Sequence, residues 1–202
     1  MTALDPGPAP SSSRSVQPPT FEPVPLWAKL PHGIGFGGDA TSVAVDSTDR
    51  VFVFNRGPFP VVVFDIDGNV LDYWGAGEFD NAHGLNVSPD DQLLMVDNKG
   101  HFVQQRTATG QLRLELGTRG VAVPPHTTGF FNRPTDAAVD PRTGDIFVTD
   151  GYANSRVHRF RPDGRHVLSW GEPGGGPGQF YLPHGITILR DGLVAVCDRE
   201  GE

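Results

Sequence analysis

Residues 135–150 read Thr-Asp-Ala-Ala-Val-Asp-Pro-Arg-Thr-Gly-Asp-Ile-Phe-Val-Thr-Asp, two short apolar runs separated by a polar turn. Short runs rich in Val, Ile and Phe between turn residues are typical of antiparallel β-strands. Two further runs, 157–161 and 166–170, flank Asp163-Gly164, a strong hairpin signal. This stretch therefore predicts one unit of four short antiparallel strands.

The same pattern occurs four times along the chain. Equivalent first-strand residues, Val43, Leu85, Ala137 and Ile186, are 42, 52 and 49 residues apart. A repeat of this size built from four strands is typical of a propeller blade. The sequence therefore predicts an all-β propeller of four-stranded antiparallel blades, of which the last stops after two strands. The predicted blades are about 39–75, 81–117, 133–171 and an incomplete 182–202.

The rest of the chain divides simply. Residues 1–20 are rich in Pro and Ser and are predicted to be a disordered tail, 21–38 form a lead-in segment, and 39–202 form the partial propeller. The tail has no apolar stretch of the kind found in secretory signals, and the longest apolar runs are too short to cross a bilayer. We therefore expect a cytoplasmic location and no membrane partner.

Composition excludes several other classes. The 26 glycines and 19 prolines among 202 residues rule out a helical bundle, because both residue types break helices. A net charge of −8 without a cluster of Lys and Arg argues against a nucleic-acid partner. The one cysteine, Cys197, cannot form an internal disulfide, so no oxidising compartment is required.

Folding the first two strands of each unit into a hairpin predicts where functional side chains meet. His83 then lies opposite Asp97, His184 opposite Asp198, Thr41 opposite Asn55 and Thr135 opposite Asp150. The first strand therefore begins, and the second ends, on the same rim of the propeller. Other chemically active side chains follow the second strands on this rim, namely Arg56, Tyr152 and Arg199.

The two histidines occupy the same repeat position in the second and fourth units. A single histidine at the start of a strand usually caps the strand or packs in the core, but two histidines around one axis favour a metal site. Catalytic zinc takes three protein ligands and keeps one open position, so the pattern predicts Zn²⁺ at His83 and His184. A purely structural role for both residues stays open from the pattern alone.

Several runs together resemble the peptidyl-α-hydroxyglycine α-amidating lyase (peptidylamidoglycolate lyase) family, in its bacterial form, which is built on NHL-type repeats. These runs are Val53-Phe-Asn-Arg-Gly57, Ala82-His-Gly-Leu85, Phe131-Asn-Arg-Pro-Thr-Asp136, Asp150-Gly-Tyr-Ala-Asn-Ser-Arg156, Pro177-Gly-Gln-Phe-Tyr-Leu-Pro-His184 and Cys197-Asp-Arg-Glu200. The resemblance extends from about Trp27 to the end of the sequence. It implies a six-bladed propeller, of which about three and a half blades are present here.

The resemblance also implies a site. The family holds a zinc ion with three histidines, two of which fall on His83 and His184, while the third, in the last blade, has no counterpart in this sequence. A structural Ca²⁺ of complete family members would likewise have an incomplete site here. The family's catalytic tyrosine falls on Tyr152 and its two active-site arginines on Arg56 and Arg199.

The implied reaction is that of a carbon–nitrogen lyase, which cleaves a peptide ending in α-hydroxyglycine to a peptide amide and glyoxylate. A guanidinium suits the substrate carboxylate because its fork binds both oxygens. Tyr152 would be the base, with its phenolate favoured beside Zn²⁺ and Arg⁺. Whether Arg56 activates Tyr152 or binds substrate is left open, with Arg199 as a clamp. By itself this chain is expected to be inactive or weakly active. The alternative is a non-catalytic NHL propeller that binds a peptide or protein on the same rim.

Overall fold

A computed structural model describes residues 19–127 and 129–201 of the protein. These residues form fourteen β-strands, and no helix occurs among them. The strands are β1 Ala40–Val45, β2 Val51–Asn55, β3 Val61–Phe64, β4 Val70–Trp74, β5 Ala82–Val87, β6 Leu93–Asp97, β7 Phe102–Arg106, β8 Leu112–Gly117, β9 Asp136–Val139, β10 Ile146–Asp150, β11 Arg156–Phe160, β12 His166–Trp170, β13 Pro183–Ile188 and β14 Val194–Asp198. Residues 1–18 of the predicted tail lie outside the described residues.

The strands form three four-stranded sheets and one two-stranded sheet, each in chain order and antiparallel throughout. The all-β propeller architecture predicted from the sequence is thus confirmed. Within the described residues no helix is long or apolar enough to cross a membrane. We refer to the sheets β1–β4, β5–β8, β9–β12 and β13–β14 as blades one to four.

Apolar side chains between neighbouring blades form the core. Phe52, Phe54 and Met95 pack between blades one and two, and Val96, Phe131 and Val148 between blades two and three. A smaller cluster joins blades three and four. Because a strand alternates its side chains between two faces, β6 and β10 each contribute to two of these layers. The stacking fixes the angle between blades and hence the spacing of the first strands.

The lead-in segment covers the outer face of blade one. Trp27 and Phe36 pack against Phe64, and the indole Nε1 of Trp27 donates to the carbonyl of Ile66 at 3.0 Å. These contacts bury an apolar sheet face that no neighbouring blade covers in the described part of the chain.

The first strands β1, β5, β9 and β13 lie side by side at the inner edge of the blades and are joined by hydrogen bonds. Leu85 N donates to the Ser42 hydroxyl at 3.1 Å, and the Asn86 side chain donates to the Ala137 carbonyl at 2.8 Å. Ile186 N donates to the Asp136 carboxylate at 3.1 Å. Residues at the starts of these strands are therefore neighbours, although about fifty positions separate them in the sequence.

The predicted hairpin register is wrong by one residue at the rim in three of the four units. Asp97 pairs with Ala82 instead of His83, Asp198 with Pro183 instead of His184, and Asn55 with Ala40 instead of Thr41. In each case the first strand contains an extra residue, a β-bulge. Only the third unit follows the expected register, with Asp136 opposite Thr149.

Candidate active site

The two bulges re-aim the histidines. His83 lies in the bulge of β5 and His184 in the bulge of β13. Each histidine directly follows, in the sequence, the first-strand residue that forms the pair at the rim. A bulged residue is released from the alternation of the strand and turns its side chain away from the pleat. The imidazole rings of these residues meet with centroids 4.9 Å apart.

Tyr152 completes this group from blade three. It lies in the turn between β10 and β11, directly after the buried Asp150 and Gly151. Its phenol oxygen is 3.0 Å from Nε2 of His83 and 3.1 Å from Nε2 of His184. The structure therefore brings three side chains from three blades to one point on the rim, with the hydroxyl between two imidazole nitrogens.

The hydrogen bonds determine the tautomer of His83. Its Nδ1 lies 2.7 Å from the carbonyl oxygen of Thr135, which can only accept, so Nδ1 carries the proton. Nε2 is then the lone-pair nitrogen and accepts from the Tyr152 hydroxyl. The same hydroxyl oxygen is left to accept from Nε2 of His184.

Both imidazoles are held neutral. Burial is the main cause that lowers the pKa of His83 to about 4. The hydrogen bond to the Thr135 carbonyl opposes this shift, and the nearby His184, Arg56 and Arg199 add to it. Burial, followed by the charge of Arg199, also lowers the pKa of His184. Neutral imidazoles with free lone pairs are the form that binds metal ions.

The arginines of the rim take different positions. Arg199 places its guanidinium carbon 5.6 Å from the centroid of the Tyr152 ring. Arg56 instead donates from Nε to the carbonyl of Ala82 at 3.2 Å and pairs with Asp39 at 2.8 Å. It therefore contacts the backbone immediately before His83, and the structure gives it no hydrogen bond to Tyr152 within the described residues.

Sequence reasoning missed Arg133, whose guanidinium carbon lies 4.9 Å from the Tyr152 ring centroid. It belongs to the run Phe131–Asp136 that carries part of the family resemblance, but the first-strand register gave no reason to place it on the rim.

Sequence reasoning also missed the role of Asp97, which ends β6 and accepts hydrogen bonds from the backbone of Asn81 and Gly100. Asp150 and Asp198 bind the equivalent loops of their blades. The recurrence of Asp at this repeat position was the available signal.

A cavity of about 260 Å³ lies beneath the histidines, between the first strands, and Asp136 is part of its lining. The carboxylate accepts from the Asn86 amide at 3.0 Å and from Ile186 N. Burial is the main cause that raises the pKa of Asp136 to about 6. This buried acid was likewise not identified from the sequence.

The imidazole nitrogens of His83 and His184 supply part of a metal-binding site. The Nε2 atoms of His83 and His184 both point at one position, now taken by the Tyr152 hydroxyl, and the Thr135 carbonyl orients the first ring as outer-shell partners of metal ligands do. Among residues 19–127 and 129–201, no three His, Cys, Asp or Glu side chains converge to hold one ion. The predicted zinc would therefore have two ligands from the described chain.

Comparisons with known proteins agree with the fold. The NHL repeat family profile matches residues 131–160. The solved structure described as a streptogramin B lyase superposes with a TM-score of 0.64 at 15% identity, covering 83% of this chain and 50% of that one. At this identity the likeness concerns the propeller fold alone.

Related sequences point to amidating enzymes. The chain is 37% identical over 167 residues to peptidyl-glycine alpha-amidating monooxygenase B of Xenopus laevis, which covers 77% of this chain and 19% of the relative. It is 32% identical over 146 residues to the probable peptidyl-alpha-hydroxyglycine alpha-amidating lyase of Caenorhabditis elegans, covering 70% and 41%. It is also 34% identical over 176 residues to NHL repeat-containing protein 3 of Mus musculus, covering 81% and 50%. The chain thus spans between a fifth and a half of the length of these relatives.

Proposed function

We propose that this chain, an NHL-repeat propeller related to the amidating lyases, carries the active-site rim of a zinc-dependent carbon–nitrogen lyase. The substrate would be a peptide ending in α-hydroxyglycine, and the products a peptide amide and glyoxylate. The observation that carries the proposal is the placement of the Tyr152 hydroxyl between the Nε2 atoms of His83 and His184, at 3.0 and 3.1 Å. A proton acceptor and two potential metal ligands thereby share one position.

His83 and His184 are the residues that would hold Zn²⁺. When bound, the ion would lower the pKa of a hydroxyl group that coordinates it. Burial lowers the pKa of each imidazole, so both rings are neutral. Nε2 of His83 already has a free lone pair, whereas His184 would have to carry its proton on Nδ1 to offer Nε2 to the ion. The Thr135 carbonyl fixes the His83 ring so that Nε2 faces the site.

Tyr152 would act as the base. Once its own proton has passed to solvent, the Tyr152 oxygen would accept the proton of the substrate α-hydroxyl as the O–H electron pair forms the carbonyl of glyoxylate. The C–N bond then breaks, its electron pair passes to nitrogen, and Tyr152 returns the proton to give the neutral amide. In the structure the phenol donates to Nε2 of His83 at 3.0 Å, and this hydrogen bond places the phenol oxygen at the site. Zn²⁺ would use the same lone pair, so the hydrogen bond and the metal bond are alternatives.

The two predicted arginines receive separate roles. Arg199 lies beside the Tyr152 ring and has an exposed guanidinium, which suits a clamp for the substrate carboxylate. Arg56 would be a positioning residue, because it binds the Ala82 carbonyl immediately before His83. Its ion pair with Asp39 anchors it there.

The test is the release of glyoxylate from benzoyl-α-hydroxyglycine, measured on the 202-residue chain and on any longer chain that its gene encodes. We expect a chain that carries a third histidine ligand to release glyoxylate, to lose activity on chelation and to regain it with Zn²⁺. We expect the 202-residue chain to be much less active, since it supplies two histidine ligands. No glyoxylate from either protein at saturating Zn²⁺ would contradict the proposal.

A second candidate is a non-catalytic propeller that binds a peptide or protein on the same rim. Its support is the identity of 34% to NHL repeat-containing protein 3 of Mus musculus and 32% to that of Homo sapiens, whose names state no activity. The glyoxylate assay separates the two candidates. Peptide binding at the rim without turnover, in the presence of bound Zn²⁺, would favour this second function.

A further inference from the structure

We propose that Arg133, held in place by His101, is a further ligand-binding cation of the rim and binds the carboxylate of the ligand. This inference rests on the proposed function, since the carboxylate is the one that an α-hydroxyglycine peptide carries at its end. Neither the repeat pattern nor the family resemblance assigned a role to this arginine.

The position of Arg133 supports this role. Its guanidinium carbon lies 4.9 Å from the Tyr152 ring centroid, nearer than that of Arg199 at 5.6 Å. A ligand whose reacting carbon sits at the Tyr152 hydroxyl would bring its carboxylate close to the two guanidinium groups that contact this ring. Opposite charge attracts the ligand, and the guanidinium fork matches both carboxylate oxygens.

The charge of Arg133 is available. Arg56 pairs with Asp39 and Arg199 pairs with Glu200, so both already have an anionic partner. In the part of the chain that the structure describes, no carboxylate pairs with the exposed Arg133 side chain. An unpaired guanidinium beside a reactive tyrosine can bind an incoming anion without first breaking an ion pair.

The backbone of Arg133 is held in an unusual conformation. Its φ of 64° lies in the left-handed region, which is unfavourable for a residue with a side chain and more so directly before Pro134. The Arg133 N–H donates to Nδ1 of His101 at 3.1 Å, across the boundary between blades two and three. Strained backbone of this kind persists when surrounding contacts hold it, and it is concentrated at binding sites.

His101 therefore acts as the positioning residue. Its own φ of 59° is also left-handed, a region that His and Asn tolerate better than most residues. Its Nδ1 must be the unprotonated nitrogen, because it accepts from a backbone N–H. The interaction ties the Arg133 loop of blade three to the loop after β6 in blade two.

The experiment compares two ligands that differ only in the carboxylate, hippurate and hippuramide, by titration calorimetry. Measurements are made at saturating Zn²⁺ and again after chelation, so that binding of the carboxylate to the metal is distinguished from its binding to Arg133. We expect Arg133→Ala to weaken hippurate binding about tenfold or more, and hippuramide binding less than about twofold. Arg133→Lys should be intermediate, because it keeps the charge and loses the fork. Arg113→Ala, which removes an exposed arginine on the outer strand β8, is the matched control and should change neither affinity.

His101 is tested in the same assay. His101→Ala should weaken hippurate binding about as much as Arg133→Ala, whereas His101→Asn should restore most of it, because asparagine supplies an acceptor and tolerates the left-handed backbone. Unchanged hippurate affinity in His101→Ala would overturn the positioning role. Thermal unfolding of both variants distinguishes a repositioned arginine from a destabilised fold.

Three outcomes would overturn the inference for Arg133: unchanged hippurate affinity in Arg133→Ala, equal loss for both ligands, or no preference of the wild-type chain for hippurate. The result is separable from the proposed function. Arg133-dependent hippurate binding without glyoxylate release would contradict the proposed lyase activity and support the anion site at Arg133. Glyoxylate release with a KM that Arg133→Ala leaves unchanged would support the lyase activity and contradict the anion site at Arg133.

Discussion

The Nε2 nitrogen of His83 lies 3.0 Å from the phenol oxygen of Tyr152, although 69 residues separate the two in the chain. Because Nδ1 of His83 donates to the Thr135 carbonyl, Nε2 is the acceptor and the phenol is the donor. The propeller makes this contact possible, since the starts of all first strands meet near one axis. The predicted base and a predicted metal ligand thus come from adjacent blades.

Replacing His184 with alanine is expected to lower the Zn²⁺ affinity of the chain by at least about tenfold, because it removes one of two imidazole ligands. His83→Ala should have the same effect. Both are measured by competition with a chelating dye. The matched control is His32→Ala, which removes an exposed histidine of the lead-in segment and should leave zinc affinity unchanged. Equal affinity of all variants would show that zinc binds elsewhere.

Zinc binding should tolerate mild acid. A pair of imidazoles with the ordinary pKa of about 6.5 would lose roughly a hundredfold in affinity between pH 7.5 and 5.5, as protons take the lone pairs. Burial lowers the pKa of His83 to about 4 and also lowers that of His184, so competition begins at a more acidic pH. We therefore expect a loss below about tenfold over this range in zinc titrations. A hundredfold loss would mean that the two rings are solvated and ordinary.

Gly151 is required by a close approach between blades three and four. A Cβ atom at this position would lie 2.0 Å from the carbonyl oxygen of Pro183, the residue before His184. Gly151→Ala should therefore destabilise the protein by about 1–3 kcal/mol, as overpacking does, and should weaken zinc binding by moving His184. Urea unfolding and zinc titration measure both effects.

The control for this variant is Gly35→Ala, where an added Cβ meets no atom within 4 Å. It should change neither the unfolding free energy nor the zinc affinity appreciably. If Gly151→Ala behaved like Gly35→Ala, the contact between the two blades would have to be looser than the structure has it.

The strands and their order were predictable because each apolar run is bounded by strong turn signals such as Asp163-Gly164. The meeting of His83, Tyr152 and His184 was predictable for a related reason: equivalent repeat positions lie on the same rim. This placement follows from topology and needs no knowledge of individual contacts.

Other features were not predictable. The bulges that shift Asp97 from His83 to Ala82 depend on the balance between strand pairing and interblade packing, which no local pattern encodes. Arg133 reaches the site through a left-handed backbone and a contact with His101, 32 positions away. The carboxyl of Asp136 is buried by three blades at once, and only the assembled structure brings them together.

Tyr152→Phe tests the central claim most directly, because it removes one oxygen atom and leaves both histidines and the aromatic ring. In the form of the protein that releases glyoxylate, with Zn²⁺ bound, we expect this release to fall by about a hundredfold or more, with bound zinc unchanged. The control is Tyr181→Phe, an exposed tyrosine outside the histidine cluster, which should keep full activity. Turnover of Tyr152→Phe within about twofold of the wild type would contradict the role of Tyr152 as the base.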